Sequence, residues 1–251
     1  CLLTAYVKIR PPMTVYERGI AQFDDTRKQF QQVATVPLDA LLAPHGHPVS
    51  HQQGQTTYLY FGDPFPWVRT LATREAYCDL SQYEGYTALL PDSAPAKPVL
   101  DRDATGQLHF AWRRGAAPWS ADLQADLLKI GLLKPEEALF DLHDPTTGKA
   151  LKVHGGCVSW NDYRKCWIMI FSQAGAPSSF LGEVWYAEAP ALEGPWRHAS
   201  KIVTHNKYTF YNPKLHPYFA QDGGRYVYFE GTYTQTFSGS QDPTPRYDYN
   251  Q

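Results

Sequence analysis

Two glutamates stand where a carboxylate could do acid–base work. Glu230 closes the aromatic run "RYVYFEGTY", and Glu84 lies in "QYEGYT" between two tyrosines and ahead of a glycine. A carboxyl group walled by aromatic rings can serve as a general acid, and it can also accept hydrogen bonds from the hydroxyls of a sugar. The bland reading of each is a residue at a turn or at a strand end meeting water. Three histidines form a second set. His47, His154 and His216 lie in "HGHPVS", "HGGCVSW" and "NPKLHPYF". Singly, each reads as a structural histidine. Brought together, such imidazoles could bind a metal, bond to hydroxyls or hold a carboxylate in place. Arg69 in "FPWVRTLA" and Arg164 in "NDYRK" could grip a carboxylate through two parallel bonds, or form surface ion pairs. Asp63, in the proline-rich "FGDPFPW", is a turn residue or the lining of a cleft. Asn212 joins the polar residues of "NPKLHPYF". Trp67, Trp160, Trp185 and Tyr211 are core rings or stacking platforms. Glu183 and Glu188 flank "VWYA" and read as solvent-facing members of an alternating strand.

These residues need strands to carry them, and one segment shows the plan. "GCVSW" is a strand, and "NDYRK" a turn with Asn161 and Asp162 as turn formers. "CWIMIFS" is apolar throughout and so buried on both faces. "QAGAPSS" is a loop, "GEVWYAEA" alternates as a third strand, "EGPW" turns, and "HASKIV" is a fourth. Four antiparallel strands in about fifty residues make one meander, the size of a propeller blade. The order recurs upstream as "GHPVSH", a "QQGQ" turn, "TTYLYFG" and "WVRTLAT". It recurs downstream as "NPKLHPYF", a "QDGG" turn, "RYVYFEGTYT" and "RYDYNQ". "LLTAYVKI", "YERGIAQFD" and "FQQVATV" read as the later strands of a blade whose first strand is missing. "YEGYTALLP" through "GQLHFAWRRG" fits a fifth, less regular unit. Between Ser120 and Phe140 the pattern turns helical. Ser120 is a natural N-cap, Leu123, Leu127 and Leu128 fall at helical spacing, and Gly131 is a stop. Pro135 with Glu136 and Glu137 opens a second short turn. This insertion either covers apolar blade surface or forms a lid.

The 251 residues suffice for one large β domain. Hydrophobic residues at 43% against 19% charged describe a globular chain. A net charge of -2, with no block of like charge, argues against a nucleic-acid partner. No apolar run approaches a membrane span. Cys1, Cys78, Cys157 and Cys166 show no paired spacing for zinc. Cys157 and Cys166 could form a disulfide across a hairpin, or both stay reduced. The chain opens on Cys1 rather than Met, which suggests a lipid-modified terminus or, more simply, a piece of a longer gene product. The fingerprints of serine hydrolases, zinc peptidases, P-loop enzymes and dinucleotide-binding enzymes are absent.

The segment "WNDYRKCWIMIF…GEVWYAEAPALEGPW" resembles blades of the five-bladed β-propeller glycosidases, the arabinanase, levansucrase and invertase group. The resemblance covers about a fifth of the chain closely and the rest by pattern. It implies an all-β five-bladed propeller over residues 1–251, incomplete at its N-terminus, with a short helical insertion near 120–140. It implies a glycoside hydrolase-like protein acting on a poly- or oligosaccharide at an axial pocket. The alternatives are a carbohydrate-binding propeller without catalysis and a structural or protein-binding one. In the group, carboxylates on the innermost strands divide the roles of base, pKa tuner and acid, because the leaving oxygen must be protonated while a second carboxylate works on the anomeric carbon. On that pattern Glu84 is the proton donor and Glu230 a second candidate. His47, Asp63, Arg69, His154, Trp160, Asn212 and His216 would contact the sugar. Glu84 is the one carboxylate on the four inner strands present. No cofactor is required, although a structural Ca²⁺ in the central channel would suit the group. A monomer, with a secreted or periplasmic location, completes the expectation.

Overall fold

The structure, a computed structural model, describes residues 2–91, 93, 98–176 and 179–244. It is all-β with few helices, and its strands form antiparallel sheets. The chain divides into two compact units. The first comprises Cys1–Phe61 and Trp67–Trp119, the second Gly62–Pro66 and Ser120–Gln251.

The first unit holds two sheets. Strands β1 (Leu3–Arg10), β2 (Thr14–Asp24) and β3 (Gln29–Thr35) form a three-stranded meander. Strands β4 (Val49–Gln53), β5 (Thr56–Phe61) and β6 (Val68–Leu71) follow, then helix α1 (Arg74–Cys78). Strands β7 (Glu84–Thr87) and β8 (Ala111–Arg114) complete a five-stranded sheet in the order β4-β5-β6-β7-β8. The expected separate unit beginning at "YEGYT" is therefore corrected. α1 and the turn after it bring Glu84 back beside Arg69, and β7 extends the sheet already under way instead of starting another. Ile20, Val36, Leu42, Phe61, Val68, Tyr77 and Tyr83 form this unit's core. Gly62, where the chain leaves this unit for the segment that belongs to the second, is dictated by space: a Cβ there would fall 1.8 Å from the Phe65 carbonyl oxygen.

The second unit opens with helix α2 (Ala121–Lys129), capped by Ser120, whose hydroxyl accepts from the Leu123 N–H at 3.1 Å. Gly131 then takes a left-handed φ of 74°. Leu127 is fully buried. The Gln124 amide is buried too, donating to the Phe140 carbonyl and accepting from the Leu139 N–H. These contacts describe a covering element sewn to its own unit.

Strands β9 (Val153–Asn161), β10 (Cys166–Gln173), β11 (Glu183–Ala189) and β12 (Arg197–Thr204) form the four-stranded meander the sequence pattern calls for, in the order β12-β11-β10-β9. From Trp167 to Ser172 every residue of β10 is buried. Gly156 lets β9 close on β10, since a Cβ would lie 2.3 Å from the Ile170 carbonyl oxygen. Strands β13 (Thr209–Leu215) and β14 (Phe229–Thr234) make a two-stranded pair. They pack on the meander through Leu215, Phe210 and Phe229 against Cys157, Ile168, Ile170 and Val184. The expected final strand "RYDYNQ" falls, apart from its neighbours before 245, outside the described residues.

The two cysteines of the β9–β10 hairpin are not cross-strand partners. Cys157 faces Ile170, and Cys166 faces Asn161. Cys78, Cys157 and Cys166 are all free thiols. Cys157 Sγ accepts from the Leu215 N–H at 2.8 Å, and burial pushes the thiol up to about 11. Glu183 also departs from expectation. It is buried rather than solvent-facing, because it shares the inner face of β11 with Trp185, and Lys201 reaches it at 2.8 Å.

Between β12 and β13 the chain turns on His205. Its Nδ1 accepts from the backbone N–H groups of Lys207 and Tyr208 at 3.0 and 3.1 Å, and Nε2 meets the Tyr233 hydroxyl at 3.0 Å. A protonated ring cannot accept, and burial together with nearby Lys207 lowers the affinity of this imidazole for a proton below the ordinary 6.5. The unfolded chain therefore binds a proton that the folded chain refuses. The stabilisation is complete above about pH 6.5 and is lost as pH falls through the window just beneath it. Thermal melts should show the midpoint dropping on acidification more steeply in the wild type than in His205→Asn, whose amide oxygen keeps the acceptor without titrating. Parallel pH profiles would refute this role of His205.

Candidate functional site

In the first unit the sheet register sets Arg69 on β6 opposite Glu84 on β7. Arg69 Nε donates to Glu84 Oε2 and Nη1 to Gln53 Oε1, both at 2.8 Å. The guanidinium lies over the Tyr58 and Trp112 rings, 4.1 and 4.3 Å from their centroids. It is 8% exposed. The Arg114 guanidinium stands 3.9 Å from the second Glu84 oxygen. Two expected site residues thus meet, but they are occupied with each other. Glu84 is an anchored acceptor on the fourth strand of five, and Arg69 spends its bidentate geometry inside the protein. His47, half-buried, precedes β4 by two residues.

In the second unit β13 and β14 bring His216 and Glu230 together. His216 Nε2 lies 3.4 Å from Glu230 Oε2, and the Tyr218 hydroxyl lies 2.5 Å from Nδ1. A ring that accepts from Tyr218 at Nδ1 carries its proton on Nε2, the nitrogen nearer the carboxylate. The Glu230 side chain remains 42% exposed, whereas that of His216 is 15% exposed. Around the imidazole the Tyr218 and Phe219 rings pack at centroid distances of 5.4 and 5.9 Å. Both rings face solvent over most of their surface, at 72% and 60%. Tyr226 and Tyr228, on the approach to β14, are exposed as well. Sequence reasoning missed Tyr218 and Phe219. The signal was Pro217, which starts a 3-10 turn directly after His216 and swings Tyr218 back against the ring.

A cleft of about 280 Å³ adjoins this group. Trp160, Asn161 and Asp162 line one side, and Leu215, Pro217 and Gly224 are among those lining the other. Leu215 and Pro217 flank His216 in the chain. Asn161 ties the walls together, donating to the Gly224 carbonyl at 2.8 Å and accepting from the Arg164 N–H at 2.8 Å. Gly224 has φ 97° and stands within 3.1 Å of Asn161 where a Cβ would be.

Asp63 and His154 are both placed at the start of β9. Asp63 Oδ1 accepts from the Gly156 N–H at 2.8 Å, and a Cβ on Gly155 would lie 2.9 Å from the same oxygen. His154, next along the strand, has Nδ1 3.4 Å from the Ser172 hydroxyl. Asn212 stands exposed at φ 54°, where the register of β13 slips between Tyr211 and Lys214. Arg164 bonds Glu188 through two contacts of 2.8 and 3.0 Å, an ion pair on exposed sheet. That contact, with the Tyr186 hydroxyl, holds the Glu188 carboxyl below its usual range. Among the described residues no three His, Cys, Asp or Glu side chains gather closely enough to hold an ion. No helix among the described residues is long and apolar enough to cross a membrane.

No protein-family model matches the chain, and no curated protein matches it. Among solved structures that are similar in part are two. A "putative hydrolase" from Bacteroides ovatus ATCC 8483 is 15% identical with a TM-score of 0.47, over 92% of this chain and 50% of that one. A "putative exo-beta-1,3-galactanase" from Bifidobacterium bifidum s17 is 13% identical with a TM-score of 0.34, over 77% of this chain and 49% of that one. The chain spans about half the length of each.

Removing one partner of the Arg69–Glu84 pair leaves the other charge poorly solvated. Arg69→Ala should cost about 3 kcal/mol in urea unfolding, through the stranded carboxylate and the lost stacking on Tyr58 and Trp112. Glu84→Gln should cost less, because the amide oxygen still accepts from Nε. Near-zero losses in both would show the pair to be a surface contact without structural weight.

Proposed function

We propose that this chain belongs to a saccharide-acting protein of glycoside hydrolase type, whose sheets follow the meander plan of propeller blades, and that its second unit meets the sugar around His216 and Glu230. One observation carries the reading: a half-exposed carboxylate stands 3.4 Å from an imidazole that is flanked by exposed aromatic rings. Sugars present apolar C–H faces and a rim of hydroxyls. Rings such as Tyr218 and Phe219 cover the faces, and a carboxylate and an imidazole bond the rim. Four-stranded meander geometry and the wealth of tyrosine support the propeller plan. Within the second unit, Asp63, His154, Trp160 and Asn212 would extend the sugar contacts on the pattern of the family resemblance.

Glu230 takes the acid–base role in this reading, in place of Glu84, whose oxygens are engaged by arginine. A second reading, binding without turnover, is favoured by that same engagement. Hydrolysis requires two working carboxylates, and of the two glutamates considered for catalysis one is tied to guanidinium groups.

Screening of plant and microbial glycans for hydrolysis and, in parallel, for binding by calorimetry tests both. Turnover abolished by Glu230→Gln with binding retained is the expected result for an enzyme. Binding weakened about tenfold by Glu230→Gln and by His216→Ala, without turnover in the wild type, marks the binding protein. Loss of neither in either variant would remove this site from saccharide recognition.

A further inference from the structure

We propose that the first unit carries a binding site for a small organic acid, a single carboxylate on an apolar body, held by Arg18 in a pocket on one face of the β1–β2–β3 sheet. The inference stands apart from the saccharide reading, since every residue it uses belongs to the first unit.

The sheet register decides which groups meet there. Ala5 pairs with Ile20 and Val7 with Arg18, so these residues share one face. That face carries Ile20 into the core, where Val36 packs as well. Arg18, half-buried, continues it outward among apolar side chains. Its neighbour Glu17 lies on the other face, where Tyr6 pairs with Gly19 and Lys8 with Glu17. The Tyr6 hydroxyl donates to Glu17 Oε1 at 2.8 Å, and Lys8 Nζ meets the same oxygen at 2.8 Å. The carboxylate next to Arg18 in the chain is thus turned away from it and already engaged. A guanidinium offers a fork of N–H donors. Arg18 gives Nη1 to the Leu38 carbonyl at 3.3 Å, and among the described residues no carboxylate stands within ion-pair distance of it. Arg69 makes the contrast, its fork filled by Glu84 and Gln53.

The pocket beside Arg18 has a volume of about 620 Å³, within the range of small-molecule sites. Val7, Val15, Val36, Leu38 and Pro44 give it largely apolar walls, and Arg18 and His45 are its charged or titratable members. His45 Nδ1 lies 3.0 Å from the Ala43 carbonyl, to which it must donate, so Nε2 is the nitrogen left for a ligand or for water. The chemistry of the occupant follows from these walls. Valine and leucine side chains favour a hydrocarbon body. A single guanidinium balances a single negative charge, and its planar fork matches a carboxylate through two parallel bonds. A phosphate dianion would bring a second charge, yet no lysine and no second arginine lines the pocket. A sugar acid would press its hydroxyls against apolar walls that cannot bond them. An acid with an aryl or branched aliphatic body meets every wall with its complement.

The test is calorimetry on the full chain with phenylacetate, hydrocinnamate and isocaproate, each beside its amide, and with glucuronate and inorganic phosphate as hydrophilic anions. The apolar acids should bind about tenfold more tightly than their amides and than either hydrophilic anion. Arg18→Gln should erase the preference for acid over amide, a readout that a merely structural arginine would not move. Val7→Asp, at an exposed position opposite Arg18, sets a carboxylate against the guanidinium and should weaken the acids about tenfold without entering the core. This variant decides the matter if Arg18→Gln fails to fold. Acids and amides bound alike by the wild type, or acid binding that survives both substitutions, would overturn the site. Tighter binding of glucuronate than of hydrocinnamate would overturn it as well and give the pocket to a sugar acid. Absence of acid binding would overturn it too, and dimerisation that Val7→Asp abolishes would then assign this face to a second copy of the chain.

Discussion

The burial of β10 on both faces is the constraint from which the second unit follows. A strand with apolar residues on both sides must be covered on both, and it satisfies its own backbone only by pairing with neighbours along each edge. β9 and β11 take the edges, and β13–β14 takes part of one face. Close approach of β9 is possible because Gly156 has no side chain. The Cys157 sulfur, one residue on, then receives the Leu215 N–H. That bond fixes the end of β13, and the next residue is His216. The position of the imidazole beside Glu230 is thus a consequence of core packing two strands away. Cys157 contributes by being a compact buried acceptor, and its unreactive thiol suits that part.

In the first unit the corresponding constraint is a buried positive charge. Taking a guanidinium out of water is costly unless its donors are paired and its faces covered. Arg69 meets both demands within one sheet. Glu84 and Gln53 accept its N–H groups, and Tyr58 and Trp112 sandwich its plane. This requirement explains the glutamate between tyrosines in "QYEGYT" without appeal to catalysis. The tyrosines serve the sheet face and core, and the glutamate answers the arginine across the β6–β7 pairing.

Much of the local structure was legible in the sequence, because local rules determined it. Alternation and turn residues mark β9 to β12, and Ser120 and Gly131 mark the two ends of α2. What was not legible depended on register. "YEGYT" has the marks of a new unit, yet α1 returns it to the sheet already begun, and no local pattern records which edge a strand will join. Cys157 and Cys166 lie close enough in sequence to suggest a disulfide, but the hairpin places them opposite Ile170 and Asn161. The Tyr218–His216–Glu230 chain was half legible. The glutamate and histidine were recognisable as types, but their meeting depends on the pairing of β13 with β14, and the tyrosine on the turn that Pro217 starts.

The two glutamates show why residue type alone does not assign chemistry. Both follow aromatic residues and precede glycine, and both lie on strands. The difference is in what each oxygen already does. Glu84 has an arginine on one oxygen at 2.8 Å and a second guanidinium 3.9 Å from the other, so a ligand would have to break an internal ion pair to use it. Glu230 has one longer contact, to a histidine at 3.4 Å, and much of its carboxylate meets solvent. The cost of recruiting a carboxylate to a ligand includes the partners it must give up. That cost is high for Glu84 and low for Glu230. The imidazole keeps its bond to Tyr218 on the opposite nitrogen. The β13–β14 pairing thus leaves this chain with a lightly held carboxylate beside an imidazole.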